Sequence, residues 1–270
     1  MDLVVFSDLD GTLLDHHTYA WTAAAPALAR LQAQCATLVM CSSKTRAEMI
    51  PLHRELGLTG PFIAENGGGV YAPAGHAVTS LSPERWRAAG PDWQVLPLGL
   101  GIGILRQRFA EFREEFGARG FAQLTADEVA RLTGLSPAAA ALARQREFNE
   151  PVVLPRPDQQ EAAFRAAAQA RGLAVTRGGR FFHLLGGGDK GAAARRALEL
   201  FRGLGWRPLS LALGDAENDL PLLAAADHAV LVARPDGSHA AGDLPGLVRE
   251  PGAGPVGWNR AVNSFLDQVA

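Results

Sequence analysis

Apolar runs alternate with helical patterns along the first part of the chain. Short apolar runs at residues 3–6, 36–41 and 61–64 predict buried strands, and residues 21–34 and 45–56 carry apolar side chains at helical spacing. Strand, helix, strand, helix, strand at these spacings is typical of a parallel sheet with helices on its faces. Ser42 or Ser43 is the expected N-cap of the second helix, with Glu48 placed to close its first turn.

The same alternation returns near the C-terminus. A helix is predicted at residues 191–203, a strand at 209–213, a second helix at 219–226 and a second strand at 229–232. We therefore expect the two ends of the chain to form halves of one sheet.

The middle of the chain has a different pattern. Short helical runs at 105–116, 125–132 and 158–171 alternate with candidate strands at 152–154 and 180–185. Glycine-rich patches at 67–69 and 186–188 lie where an insertion would leave and rejoin the core. The prediction is an α/β protein with a Rossmann-like parallel-sheet core, residues 1–81 and 188–270, and an inserted α/β cap domain, residues 82–187.

Composition narrows the classes of function. The 270 residues are 47% hydrophobic, and this length allows one large α/β domain or a medium domain with a second one. A net charge of -2 gives no basic face for nucleic acid and no polybasic segment for anionic membranes, so neither partner is expected. Residues 1–6 are too short and too soon acidic for a signal peptide, and no window approaches the ~20 apolar residues of a membrane span. We expect a cytoplasmic protein.

Polar residues follow the predicted strands at the edge where ligands bind in open parallel sheets. These residues are Asp8 and Asp10 after the first strand, Ser42 and Ser43 after the second, Lys190 at the start of a helix, and the 214–219 loop after strand 209–213. Gathered carboxylates repel one another unless a cation is bound, and hard oxygen ligands select magnesium over zinc. The serine hydroxyl and the lysine ammonium add the donors and positive charge that a transferring phosphoryl group requires.

Lys44 and Lys190 are the only lysines among the 26 residues that are lysine or arginine. An arginine cannot replace a compact ammonium everywhere, so each lysine is a candidate functional residue. Lys44 is expected to cap or flank the helix that follows it rather than to contact phosphate.

Residues 8–14, Asp-Leu-Asp-Gly-Thr-Leu-Leu, resemble the first motif of the haloacid dehalogenase superfamily of phosphohydrolases, and the other three sites match its later motifs in order. The resemblance implies that Asp8 attacks phosphorus to form an aspartyl-phosphate. Asp10 would protonate the leaving oxygen and then activate water. Ser42 would donate a hydrogen bond to the phosphoryl oxygens, and Lys190 would hold them beside Asp8 by charge.

The same resemblance implies magnesium as the cofactor. Its ligands would be Asp8, the backbone carbonyl of Asp10, and Asp215, with Asn218 and Asp219 in support.

A narrower resemblance rests on the strings Cys-Ser-Ser-Lys-Thr-Arg-Ala-Glu at 41–48, Ala-Glu-Asn-Gly-Gly-Gly at 64–69 and Gln-Arg-Glu-Phe-Asn-Glu-Pro at 145–151. They are similar to the mannosyl-3-phosphoglycerate phosphatase family, and the Gly-Gly-Gly-Asp-Lys-Gly run at 186–191 fits it too. The resemblance implies a small phosphorylated glycoside as substrate and mannosylglycerate, a compatible solute, as product. The expected substrate contacts are Ser43, Asn66, Gly67, Arg146, Glu147, His183, Asn218 and Asp219.

A substrate with a carboxylate beside its phosphate favours cationic groups on the cap. The candidates are Arg144, Arg146, Arg177, Arg180 and His183, with Glu147 or Glu150 available for sugar hydroxyls. His183, which lies between Phe182 and Leu184, is alternatively a core histidine with a satisfied ring.

Three other functions stay open at this point. The substrate could be glucosyl-3-phosphoglycerate or a sucrose-type phosphate, because a cap pocket can tolerate an epimeric hydroxyl. A phosphomutase would return the phosphoryl group from the aspartate to substrate instead of passing it to water. A non-catalytic binding module is disfavoured because Asp8, Asp10, Ser42, Lys190 and Asp215 are all intact.

Overall fold

The computed structural model describes residues 2–178 and 181–269. Its strands are β1 (Asp2–Ser7), β2 (Thr37–Met40), β3 (Phe62–Ala64), β4 (Gly69–Pro73), β5 (Arg87–Ala88), β6 (Trp93–Pro97), β7 (Arg119–Gly120), β8 (Asn149–Val153), β9 (Ala174–Gly178), β10 (Phe181–Leu185), β11 (Pro208–Gly214), β12 (His228–Ala233) and β13 (Val248–Ala253). Its α-helices are α1 (Ala25–Ala33), α2 (Arg46–Glu55), α3 (Ile102–Ala110), α4 (Ala126–Thr133), α5 (Pro137–Ala143), α6 (Pro157–Gln169), α7 (Lys190–Gly203), α8 (Leu220–Leu223) and α9 (Gly254–Val269).

The central sheet joins the two ends of the chain. Its five strands run parallel in the order β13-β12-β11-β1-β2. Alternate side chains of β1 enter two separate apolar clusters, Val5 on one face and Val4 and Phe6 on the other. Because both faces are covered, the strand is continuously apolar rather than alternating. The parallel-sheet α/β class predicted from the sequence is confirmed.

Helices cover both faces of this sheet. On one face α9 contributes Trp258 and Val262 to the cluster that holds Val5, and on the other α7 contributes Ala197 and Phe201. The sequence did not predict β13 or α9. Proline and glycine at residues 251–255 interrupt both patterns where one element passes into the other.

The run at residues 61–64 was predicted as a third strand of the parallel sheet, and the structure bears this out at one point only. β3 meets the chain just after β2 through one parallel bridge between Cys41 and Ile63, but its strand pairing is antiparallel, with β4, in a separate sheet of order β3-β4-β6-β5. The chain reverses directly after β3 because Asn66 and Gly67 adopt positive φ angles of 57° and 92°. A tight reversal favours an antiparallel hairpin.

The middle of the chain forms a third sheet of order β7-β8-β10-β9, whose neighbouring strands are antiparallel. Helices α3 and α6 pack on it through a cluster that includes Phe109, Phe112, Phe164 and Phe182. The insertion at residues 82–187 stays a prediction, and the pairing of β6 with β4 ties its first part to the segment before it. The predicted strand at 180–185 begins at Phe181 within the described residues, and Arg180 lies outside them.

Two further helices differ from their predicted bounds. The helix predicted at 219–226 is a 3₁₀ turn, Glu217–Asp219, followed by the single α-helical turn of α8. The helix predicted at 105–116 begins at Ile102 and ends at Ala110. Within the described chain, no helix is long and apolar enough to span a membrane.

Candidate active site

Lys190 joins two aspartates at the carboxyl edge of the central sheet. Asp8 follows β1, and its backbone N–H extends the strand by donating to Leu213 at 2.9 Å. Lys190 is the first residue of α7, and its Nζ lies 2.6 Å from Oδ1 of Asp8 and 2.6 Å from Oδ1 of Asp219. Burial alone would lower the pKa of this ammonium, but the charges of Asp219 and Asp8 raise it. Lys190 is therefore a buried cation held between two carboxylates.

A third carboxylate completes the cluster. Oxygens of Asp8, Asp215 and Asp219 all lie within 4.8 Å of one another. Burial, and then the charge of Asp219, raise the pKa of Asp8 well above its usual range and that of Asp215 to about 7. A bound divalent cation would relieve this repulsion, and the hard oxygen donors fit magnesium.

The two carboxylates best placed to hold the ion are Asp8 and Asp215. Asp219 is already committed, because its Oδ1 accepts from Lys190 and its Oδ2 accepts from the backbone N–H groups of Asp215 and Ala216 at 3.1 and 3.0 Å. Asp219 therefore holds the 215–216 loop in place. From the sequence it was expected to contact the substrate. Asp215 is further oriented by Thr12, whose Oγ1 donates to its Oδ1 at 3.1 Å.

The helix after β2 does not begin as predicted. Thr45, not Ser42 or Ser43, is the N-cap of α2: its Oγ1 accepts from the N–H of Glu48 at 3.2 Å, and Oε2 of Glu48 accepts from the N–H of Thr45 at 2.8 Å. The reason is spacing, since a capping box needs the cap residue three positions before the glutamate. Ser42 and Ser43 are free of that role, and both line the cavity beside Asp8.

A cavity of about 710 Å³ opens over Asp8. Residues at the edge of the central sheet form one side of it, and the sheet β7-β8-β10-β9 with helices α4 and α5 forms the other. From the core these are Asp8, Asp10, Ser42, Ser43, Lys44, Asp215 and Asn218, and from the middle segment they include Phe121, Arg146, Arg177, Phe181 and His183. Oδ1 of Asp10 is buried and has no hydrogen-bond partner among the described residues. The 38% of the Asp10 side chain that is exposed to the cavity therefore excludes Oδ1.

Three expected substrate contacts lie elsewhere. Oδ1 of Asn66 accepts a hydrogen bond from Nδ2 of Asn218 at 3.0 Å, which ties the β3–β4 turn to the 214–219 loop. Gly67 packs on the start of α7, where a Cβ would lie 2.1 Å from the carbonyl oxygen of Asp189. Glu147 pairs with Arg46 at 2.8 Å.

Two of the other cap candidates are likewise engaged with the protein. Glu150 is fully buried, and its Oε2 pairs with Nε of Arg106 at 2.7 Å. Nε of Arg144 donates to the carbonyl of Phe121 at 3.4 Å. An opposite charge or backbone acceptor close by satisfies each side chain, and a sequence pattern does not reveal such partners.

His183 lines the cavity but is not the cationic group expected. Its Nδ1 lies 3.1 Å from Oδ1 of Asn149. Burial, reinforced by the charges of Arg146 and Lys190, lowers the pKa of the imidazole to about 3. The ring is therefore neutral at ordinary pH. With the proton on Nδ1 donated to Asn149, Nε2 is left as an acceptor.

Sequence reasoning missed two residues that organise the site. Lys44 reaches into the cavity and pairs with Asp10, with 2.8 Å between Nζ and Oδ2. Burial alone would lower the pKa of Lys44, but the charges of Asp10 and Glu48 raise it. The rarity of lysine was the only signal in the sequence.

Glu65 is the second residue that the sequence did not single out. It is fully buried, and its carboxylate accepts the backbone N–H groups of Glu147, Phe148 and Asn149 at 2.9, 2.9 and 2.8 Å. It fastens the turn after β3 to the start of β8. Since Asn149 in turn contacts His183, Glu65 positions one wall of the cavity.

Comparison with known proteins gives the same class as the fold and the site. Residues 5–84 match the model of a family of haloacid dehalogenase-like hydrolases. A glucosyl-3-phosphoglycerate/mannosyl-3-phosphoglycerate phosphatase from Methanococcoides burtonii is 38% identical over 98% of both chains. A protein of the same name from Persephonella marina is 33% identical over 99% of this chain and 98% of its own.

Solved structures share the fold at low identity. A Thermoplasma acidophilum protein has a TM-score of 0.68 at 18% identity, covering 98% of this chain and 99% of its own. The sucrose-phosphatase from Synechocystis sp. PCC6803, solved with sucrose and phosphate, has a TM-score of 0.61 at 18% identity, covering 98% of both chains.

The parallel sheet and the carboxylate–lysine cluster at its edge define a haloacid dehalogenase-like hydrolase, and the chain belongs to that family. Within the family it is a phosphoric monoester hydrolase, related along nearly its whole length to the glucosyl-3-phosphoglycerate/mannosyl-3-phosphoglycerate phosphatases. The resemblance found in the sequence motifs is confirmed.

Proposed function

We propose that the chain is a magnesium-dependent phosphatase that hydrolyses mannosyl-3-phosphoglycerate to mannosylglycerate and phosphate, through an aspartyl-phosphate on Asp8. The observation that carries the proposal is the placement of Asp8, which lines the cavity while Lys190 holds its Oδ1 at 2.6 Å. The names of the two relatives supply the substrate class. That the enzyme works in the cytoplasm stays a prediction.

In the first step a carboxylate oxygen of Asp8 attacks phosphorus. The new O–P bond forms as the bond from phosphorus to the leaving oxygen breaks, and Asp10 gives its proton to that oxygen, which departs as a hydroxyl group of mannosylglycerate. Asp10 lines the cavity beside Asp8, and its side chain is 38% exposed, so its carboxyl group is placed for this transfer. Lys190 offsets charge beside Asp8, and the hydroxyl of Ser42 is available as a donor to a phosphoryl oxygen.

In the second step water removes the phosphoryl group. Asp10, now a carboxylate, takes a proton from the water as its oxygen bonds to phosphorus, and the bond from phosphorus to Asp8 breaks. Phosphate leaves and both aspartates return to their starting states. Magnesium held by Asp8, Asp215 and the carbonyl of Asp10 would supply positive charge that stabilises the phosphoryl oxygens.

The cap side of the cavity suits an anionic sugar derivative. Arg146 and Arg177 bring positive charge to the lining, and Arg146 is fixed there by hydrogen bonds to the carbonyls of Ala143 and Ser43, both at 2.7 Å. The neutral ring of His183 offers an acceptor for a sugar hydroxyl.

Glucosyl-3-phosphoglycerate is the second candidate substrate, because the names of both relatives include it. It differs from the mannosyl compound by one epimeric hydroxyl, and a pocket discriminates weakly between such epimers unless it binds that hydroxyl directly.

A substrate panel tests the proposal. Phosphate release with magnesium would be measured for both glycosyl-3-phosphoglycerates, sucrose phosphate and a simple hexose phosphate, and compared by kcat/KM. We expect the two glycosyl-3-phosphoglycerates to be the best substrates and chelation of magnesium to abolish release. A higher kcat/KM for sucrose phosphate would contradict the substrate assignment, and isomerised substrate without free phosphate would instead indicate a phosphomutase.

A further inference from the structure

Lys44 stands in the cavity without a role in the steps above. Its Nζ lies 2.8 Å from Oδ2 of Asp10 and 5.0 Å from the centroid of the Tyr19 ring. The side chain is 15% exposed, so most of the aliphatic stem is shielded and the ammonium is held near one place. This fixed cation beside the proton-transferring residue is placed to bind an anionic group of the substrate.

The chemistry of the proposed substrate supplies that anion. In a 3-phosphoglycerate the leaving oxygen and the carboxylate sit at opposite ends of three carbons, so bonds of about 1.5 Å put their oxygens about 3–5 Å apart. A proton donor must approach the leaving oxygen to about 3 Å. With that oxygen beside the exposed side of Asp10, the carboxylate comes within reach of Lys44, whose Nζ lies 2.8 Å from Oδ2.

The arginines that line the cavity within the described part of the chain have other partners or neighbours. Arg146 is held against the protein by two of its five N–H donors, which bind backbone carbonyls, and Arg177 pairs with Glu161 at 3.2 Å. Arg234 also lines the cavity, and its charge acts on Asp215, one of the carboxylates expected to hold magnesium.

We propose that Lys44 is a specificity-determining residue that binds the carboxylate of the glycerate part of the substrate. An ammonium has three N–H donors, so Lys44 keeps its contact with Asp10 while donating to a second carboxylate. This inference rests on the proposed function and adds to it the group that distinguishes a phosphoglycerate from an uncharged alcohol phosphate.

Two matched substrates and three variants test it. The substrates are mannosyl-3-phosphoglycerate and the compound in which a hydroxymethyl group replaces its carboxylate. The variants are Lys44→Gln, Lys44→Arg, and Arg46→Gln as the control, since Arg46 lies two residues away but pairs with Glu147 outside the cavity lining. The measured quantity is the ratio of kcat/KM for the two substrates, which does not depend on how much of a variant is folded.

We expect the wild-type enzyme to prefer the carboxylate substrate by about 10- to 100-fold, the range of one charge-assisted hydrogen bond. Lys44→Gln should bring the ratio close to one, Lys44→Arg should keep part of the preference, and Arg46→Gln should keep all of it.

Two results would overturn the inference while leaving the phosphatase intact. One is a wild-type enzyme active on both substrates without preference. The other is an equal loss on both substrates in Lys44→Gln, which would assign Lys44 to Asp10 alone. If the wild-type enzyme released phosphate from neither compound, the proposed function would fail first and the inference with it.

Discussion

The ammonium nitrogen of Lys190 lies 2.6 Å from Oδ1 of Asp8, although 182 residues separate them in the sequence. The contact exists because α7 begins at the edge of the sheet where β1 ends. It joins the two halves of the core at one buried charge pair.

Replacing Lys190 by methionine should therefore affect both stability and chemistry. The aspartates at 8 and 219 would be left buried without their cation, and removing one partner of a buried pair costs about 3–5 kcal/mol. We expect urea unfolding to show a loss of that size and phosphate release to fall by at least about 100-fold. In Lys190→Met/Asp219→Asn part of the stability should return but not the activity. Unchanged stability of Lys190→Met would contradict the role of the pair.

Glu65 should make stability depend on pH. Burial raises its pKa from the ordinary 4.5 to about 7, against the opposing effects of Arg146 and three backbone donors. The folded protein thus favours protonated Glu65. The contribution of Glu65 to the free energy of unfolding is therefore complete below pH 4.5 and is lost as the pH rises through 7.

We expect the free energy of unfolding of Glu65→Gln, which mimics the protonated group, to fall less between pH 5 and pH 8 than that of the wild type. The difference should be about 2.5 kcal/mol, measured by urea unfolding at the two pH values. Equal losses in both proteins would show that Glu65 stays ionised.

The ring of His183 should remain neutral across the working pH range. Its pKa is lowered to about 3 from the ordinary 6.5, mainly by burial. In ¹³C-labelled protein, the ring signal that disappears in His183→Gln should not move between pH 5 and pH 8. A midpoint near pH 6.5 would mean that the ring is solvated and that it acts as a cation on substrate.

Gly67 and Gly57 form a matched pair of glycines with positive φ. An alanine Cβ at Gly67 would lie 2.1 Å from a carbonyl oxygen of Asp189, whereas at Gly57 no described heavy atom lies within 4 Å. Gly57→Ala should cost about 1 kcal/mol from backbone strain alone. Gly67→Ala should cost about 2–4 kcal/mol and lower kcat, because it displaces the start of α7 and with it Lys190. Similar costs in the two variants would show that the clash is relaxed without moving α7.

The cluster of polar residues at the carboxyl edge of the central sheet is the part of the site that the sequence predicts best. Asp8, Ser42 and Asp215 each follow a strand whose apolar run is unbroken, and parallel strands bring their carboxyl ends to one edge. Their meeting place follows from local patterns together with one rule of topology.

What the sequence did not reveal depends on contacts between distant segments. Glu147 was expected at the substrate, but Arg46, 101 residues away, holds it. Lys44 was expected beside its helix, but it turns toward Asp10 because two negative charges and the Tyr19 ring lie there. No periodicity encodes which of several nearby partners a long charged side chain selects.

The central claim is that Asp8 carries the phosphoryl group, and trapping that intermediate tests it most directly. The enzyme with magnesium and mannosyl-3-phosphoglycerate would be quenched in acid within one turnover, reduced with borohydride to fix the acyl-phosphate, and mapped by mass spectrometry, with Asp8→Asn as the control. We predict modification at Asp8 in the wild type and neither modification nor phosphate release in Asp8→Asn. Wild-type phosphate release by Asp8→Asn, or a label on another residue, would contradict the account.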